Sequence, residues 1–144
     1  MCTQNVDRLH QFAGSRHVEE LHGTIRECRC HACGAPHEED AFLRKAKCAC
    51  GGRLRPNVVL FGESLPQEAW QASLDAIREA DVVLVIGTSL EVAPVNQLPF
   101  LTKGKRIFIN AEETGLEGMF DVFIQGRARD SLIAIERRLK QPGN

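Results

Sequence analysis

Neither sign of charge dominates this sequence: 18 lysines and arginines face 19 aspartates and glutamates, a formal net charge of −1. That balance gives no electrostatic reason to expect nucleic acid or an anionic membrane as a partner. Long hydrophobic runs are also missing. The longest, around VVLVIG, is far shorter than the roughly 20 apolar residues a helix needs to span a bilayer. The first ten residues, MCTQNVDRLH, hold no apolar signal-peptide core, so a cytoplasmic location is the expectation. No internal repeat, low-complexity tract or long flexible linker occurs. What is present, 144 residues of which 43% are hydrophobic and 26% charged, suits an ordinary globular chain: one domain, or part of a larger one.

Cysteine is the conspicuous presence. Of Cys2, Cys28, Cys30, Cys33, Cys48 and Cys50, five fall between positions 28 and 50. Without a signal core, and with apolar segments elsewhere to build a fold, such a cluster points to metal binding over disulfides. Cys30-His31-Ala32-Cys33-Gly34 has the C-x-x-C-G form of a zinc knuckle, and Cys48-Ala49-Cys50-Gly51-Gly52 supplies a second pair. Four thiolates fill a tetrahedral structural site, so the ion is expected to hold structure and not to catalyse. The second pair, C-x-C, is one residue tighter than a usual knuckle. Cys28-x-Cys30 mirrors it, so Cys28 stands as an alternative ligand beside the preferred set Cys30, Cys33, Cys48 and Cys50. His31, inside the knuckle, is expected to face solvent, and Cys2 to be a small buried residue or an incidental thiol.

Beyond the cysteines, the chain reads as strands alternating with helices. NVVLF (57–61) is a short β-branched run, and LPQEAWQASLDAIREA (65–80) is a helix opening on Pro66 with Trp70, Leu74 and Ile77 at helical spacing. DVVLVIG (81–87) has the near-continuous apolar character of a strand buried on both faces. RIFIN (106–110) and MFDVFIQG (119–126) are further strands, and RDSLIAIERRLK (129–140) is an amphipathic helix with its basic residues near the C-terminus. The expected class is therefore α/β: an incomplete Rossmann-like parallel sheet with helices, plus a small zinc-ribbon module. In such sheets ligands bind beyond the carboxyl ends of the strands. FGES, GTSLEVAP and NAEE follow three consecutive strand candidates and are the places to look.

The first 25 residues are polar. Gln4, Asn5 and Asp7 suit hydrogen bonding to an amide or ribose, and equally suit helix capping. His22, followed by Gly23, is not needed by a four-thiolate metal site. Spacing alone leaves it open between a turn residue and a catalytic base.

Taken together, TQNVDRLHQFAGS, VEELHG, CHAC with CAC, GGRLRPNVVLFGESLP, GTSLEVAP, IFINAEE and GRARDSL resemble the sirtuins, the NAD-dependent protein-lysine deacylases, in order and spacing across essentially the whole chain. The resemblance implies acyl transfer from lysine to ADP-ribose with release of nicotinamide, NAD as co-substrate, structural zinc, and an acyl-lysine protein or peptide as partner. It implies that His22 is the general base, taking a proton from a ribose hydroxyl. Gln4, Asn5 and Asp7 would receive nicotinamide and its ribose. Gly87, Thr88 and Ser89, then Asn110, Ala111 and Glu112, and Ala128 would contact the rest of NAD. Val59, Phe61, Gly62 and Glu63, with Glu91 and Val92, would sandwich the peptide by β-augmentation. The division implied is 1–25 for catalysis and the nicotinamide pocket, 26–56 for zinc, and 57–144 for the C-terminal part of the NAD-binding domain.

The family's strand and glycine-rich G-A-G-x-S loop, which cradle the pyrophosphate, have no counterpart in these residues. Phosphates would lack the backbone N–H groups that bind them. The expectation is a portion of a longer enzyme, with weak NAD binding and impaired activity alone. The alternatives are a non-catalytic, zinc-stabilised module that binds acyl-lysine peptides, and a nucleic-acid-binding zinc ribbon, for which RLR (53–55) is the only compact basic spot near the metal.

Overall fold

The computed structural model describes residues 1–141, and the chain folds as two compact units, Met1–Ser73 and a second from Leu74 onward. The first unit opens with a short strand β1 (Cys2–Thr3) and a single helical turn α1 (Leu9–Phe12). A return strand β2 (Glu19–Glu20) pairs with β1 in parallel. Next comes β3 (Gly23–Cys30), the central strand of an antiparallel sheet in which β4 (Pro36–Glu38) flanks one side and β5 (Leu54–Val58) the other, with a short helix α2 (Glu39–Leu43) after β4. The β3–β5 register shifts between Thr24 and Cys28. Such a bulge bends the strand and re-aims its backbone groups. Here the Ile25 amide is released to donate to the Val6 carbonyl at 2.9 Å.

One expectation fails. NVVLF is predicted to open a parallel sheet, but the strand ends at Val58 and lies antiparallel to β3. The reason lies in the cysteines. Bringing Cys30 and Cys33 beside Cys48 and Cys50 forces the flanking residues side by side in opposite directions, with Cys30 opposite Leu54 and Cys28 opposite Pro56. A five-residue apolar run carries no mark of its partner's direction.

Helix α3 (Gln67–Glu79) carries the chain between the units, and the Pro66 carbonyl accepts the Trp70 amide at 2.9 Å. In the second unit, β6 (Val82–Ile86), β7 (Lys105–Asn110) and β8 (Val122–Gln125) form a parallel sheet in that order. A 3₁₀ segment (Val95–Leu101) links β6 to β7, and α4 (Ala128–Lys140) follows β8. One face of the sheet carries the core: Val85, Leu90, Phe108 and Phe120 are buried, with Val83, Phe100, Leu116 and Phe123 packed on them. The Phe108 and Phe120 rings stack at 4.8 Å between centroids, and Phe100 and Phe123 extend the cluster. The opposite face is thinner. Val82 is 52% exposed and Leu84 44%, so β6 is not buried on both faces as its composition suggested. Among the described residues it is an edge strand, and the aromatic core covers only one of its sides. Among the described residues no helix is long and apolar enough to cross a membrane.

Candidate active site and metal centre

The two cysteine pairs arrive on turns at one end of the β3–β5 ladder, where Cys30 lies opposite Leu54. After Cys30 the chain turns so that the Gly34 amide returns to the Cys30 carbonyl at 3.0 Å. The second turn is closed by the Gly51 amide on the Cys48 carbonyl at 2.8 Å and the Cys48 amide on the Gly52 carbonyl at 3.0 Å. The sulfurs of Cys30, Cys33, Cys48 and Cys50 all lie within 4.8 Å of one another. Cys30 and Cys50 are 3.5 Å apart, Cys33 and Cys48 3.6 Å, and Cys33 and Cys50 3.5 Å. A tetrahedron of sulfurs about 2.3 Å from zinc has edges of about 3.8 Å, so the donor set fits the ion. Cys28 is not part of the group. It is buried beside it, and burial followed by the Glu39 charge pushes its thiol up.

Their surroundings set the Cys30 and Cys50 thiols apart. The Cys33 amide, hydrogen-bonded to Cys30, helps hold that thiol down at about 6. At Cys50 the Gly52 amide favours the thiolate, but the sulfurs of Cys33, Cys30 and Cys48 outweigh it and push the group up to about 12. A divalent cation is what lets four such neighbours be thiolates together. The four cysteines are thus positioned to bind a zinc ion, two buried and two exposed. His31 is exposed on the knuckle turn.

His22 lies outside this cluster, half-buried in the turn between β2 and β3. The residues on either side of it are tied to the N-terminal segment. The Leu21 amide donates to the Thr3 carbonyl at 3.0 Å, and the Ile25 amide donates to the Val6 carbonyl. Gln4 and Asn5 are strung between those two anchors, so the QNVD segment and His22 share one place in the first unit. Asp7 also serves its own segment, where its Oδ1 accepts the Leu9 amide at 3.0 Å, at the start of α1. On its other side the His22 carbonyl accepts the Val59 amide at 2.9 Å, which brings in Val59, Phe61, Gly62 and Glu63. Phe61 is fully exposed.

The second unit gathers the remaining positions at the carboxyl ends of its strands. Gly87, Thr88 and Ser89 follow β6, and the Gly87 amide donates to the Ile109 carbonyl at 3.0 Å. Asn110 ends β7, with Ala111 and Glu112 after it, and its side-chain amide donates to the Glu112 carbonyl at 2.8 Å. Gly126 after β8 donates to the Asn110 carbonyl, and α4 begins at Ala128. Glu91 and Val92 sit exposed just beyond the β6 loop. These turns form the kind of C-terminal edge where parallel sheets bind ligands.

The sequence profile of the Sir2 family matches residues 1–94. This chain belongs to the Sir2 family. A relative from Sulfurisphaera tokodaii, named NAD-dependent protein deacetylase, is 45% identical over 97% of this Sir2 chain and 59% of its own length. NAD-dependent protein deacylase 2 of Pyrobaculum aerophilum is 47% identical over 98% of the chain and 59% of its own. Among solved structures, a Sir2–p53 peptide–NAD+ complex superposes with a TM-score of 0.89 at 33% identity, over 95% of this chain and 61% of that one. A Sir2 homolog–NAD complex gives 0.89 at 40%, over 96% and 57%. The Sir2 chain described here therefore spans under two thirds of the length of each.

Three residues of this Sir2 chain matter to the site and were not singled out from the sequence. Gly23, after His22, has φ of +71°, and a Cβ there would lie 2.0 Å from the Asn57 carbonyl oxygen. Gly52 leaves room for the metal cluster, since a Cβ would lie 2.6 Å from the Cys30 sulfur and 3.2 Å from that of Cys50. Leu90 takes φ of +59°, unusual for leucine. Thr88 Oγ1 accepts its amide, Asn96 Nδ2 donates to its carbonyl and its side chain is in the core, so the strained turn is held from three directions. A glycine beside each motif was the available signal for the first two; nothing in the sequence marks Leu90.

Proposed function

We propose that this chain carries the histidine-bearing and zinc-binding parts of an NAD-dependent protein-lysine deacylase. The observation that carries the reading is the anchoring of the QNVD segment to both flanks of His22, together with membership in a family whose relatives bear that name. NAD as co-substrate supplies the ribose carbon to which the acyl oxygen is transferred, with nicotinamide leaving. In this assignment His22 accepts a proton from a ribose hydroxyl. Imidazole titrates near neutrality in water, and a positioned general base of this kind contributes roughly 10²–10⁴-fold. Gln4, Asn5 and Asp7 orient the nicotinamide side. Gly87, Thr88, Ser89, Asn110, Ala111, Glu112 and Ala128 serve the rest of the dinucleotide. Val59, Phe61, Gly62 and Glu63, with Glu91 and Val92, serve the acyl-lysine peptide. Cys30, Cys33, Cys48 and Cys50 hold zinc as a brace. By role, residues 1–25, 26–56 and 57–144 are the catalytic, metal and dinucleotide portions. A cytoplasmic setting keeps the thiols reduced and able to hold the metal.

These residues contain no glycine-rich phosphate loop, so NAD is bound weakly and turnover is slow compared with a chain of the relatives' length. The competing reading is a module that binds acyl-lysine peptides without turnover. Measuring peptide binding and NAD-dependent loss of the acyl group on one sample separates them. Acyl loss that requires NAD supports the enzyme. Binding with no acyl loss at saturating NAD supports the module, and neither one removes both.

A further inference from the structure

The segment after β5 is held by a charged clamp. The Glu63 carboxylate accepts from both terminal nitrogens of Arg55, from Nη2 at 3.1 Å, and from the Leu60 amide at 3.0 Å. The same Arg55 Nη2 donates to the Val58 carbonyl at 2.8 Å, and Arg29 stands 3.6 Å from the carboxylate. The Glu63 amide returns to the Leu60 carbonyl at 3.0 Å. Arg55 is the most enclosed member, with 14% of its side chain exposed. An arginine fork engaged in this way fixes its partners' orientation as well as their charge. The effect is local: Val58, Leu60 and Glu63 are pinned, while the main-chain groups of Phe61 and Gly62 between them enter no hydrogen bond among the described residues. The Phe61 side chain is wholly in solvent.

Leu60–Glu63 is a turn with Gly62 at φ +84°, and backbone groups left unpaired on a rigid turn are available to pair with another chain. We propose that the Arg55–Glu63 pair, supported by Arg29, acts as a positioning clamp that presents the Phe61–Gly62 backbone to the acyl-lysine peptide. The inference rests on the peptide-binding reading above and adds to it the residues that prepare the turn. Neither Arg55 nor Glu63 need touch the acyl group. Their contribution is that ordering of the turn precedes peptide arrival, so its entropy is not lost on binding.

The test uses the zinc-loaded 144-residue chain, its Glu63→Gln and Arg55→Met variants, and Arg55→Lys as the conservative replacement. The probes are an acetyl-lysine peptide and the same peptide N-methylated on the backbone next to the acetyl-lysine. The readouts are peptide Kd, exchange of the Leu60 amide, zinc content and Tm. With zinc content retained, Glu63→Gln and Arg55→Met are expected to weaken the peptide about 10-fold and to speed Leu60 exchange, with Arg55→Lys between. N-methylation is expected to cost less in the variants than in the parent, because both remove the same pairing. Should Arg55→Met lose zinc or fail to fold, the more exposed Glu63→Gln decides. If the parent binds the acetylated peptide and Glu63→Gln binds it equally well, with Leu60 exchange unchanged, the clamp is refuted and the peptide reading stands. If the parent itself does not prefer the acetylated peptide to the unmodified one, the peptide reading falls and the clamp with it.

Discussion

Glu63 is a carboxylate whose surroundings make a signed prediction. The Arg55 hydrogen bond, then the Leu60 amide, then the Arg55 and Arg29 charges hold it at about 2, well below its ordinary 4.5. On acidification the unfolded chain takes up the proton first. The stabilisation is therefore complete above about 4.5 and is lost as the pH falls towards 2. A Tm series over that window is expected to fall more steeply for the parent than for Glu63→Gln. Metal loss through thiol protonation is common to both and cancels in the difference. Parallel curves would mean the pair is not formed in solution. At this scale the sequence was unevenly informative. Cys30, Cys33, Cys48 and Cys50 were legible because chelation dictates close spacing, and the choice against Cys28 followed from the better knuckle. His22 was ambiguous from spacing and gained meaning only through resemblance. Arg55 with Glu63 was invisible as a pair, since eight positions separate them and only the Leu60–Glu63 turn brings them together.

Among the elements, α3, β6, β7 and α4 lie within a few residues of where periodicity placed them, because long apolar or amphipathic runs encode their own structure. β5 shows the limit. Its composition announced a strand, but its partner and direction come from the two cysteine turns at one end of the ladder, a constraint between distant cysteines that leaves no local trace. The β3–β5 ladder also depends on Gly23, where the chain passes against Asn57 with a left-handed φ. Gly23→Ala meets both a steric and a conformational penalty, and is expected to destabilise the first unit by about 2 kcal/mol or more in denaturant unfolding. A loss under about 0.5 kcal/mol, the range of an ordinary surface change, would show that the ladder opens there easily.

For the whole molecule, the sequence disclosed two kinds of architecture, and the structure realises them as an antiparallel sheet beside a four-cysteine cluster and a parallel sheet with an aromatic core. The two draw stability from different sources. In the first unit the buried apolar cluster at the cysteine turns is small: Cys30, Cys48 and Leu54, with Ala35 and Ala41 packed against them. Chelating the metal is expected to release the β3–β5 amides to hydrogen exchange while those of β7 stay protected. Unchanged protection of β3 after metal removal would deny the brace its role. In the proposed function proton transfer belongs to the imidazole and support to the metal, and the two roles are separable in one variant. The most direct measurement is the zinc content and NAD-dependent deacetylation rate of His22→Ala beside the parent. Full zinc with a rate lowered roughly 10²–10⁴-fold is predicted; an undiminished rate, or loss of the metal, would contradict it.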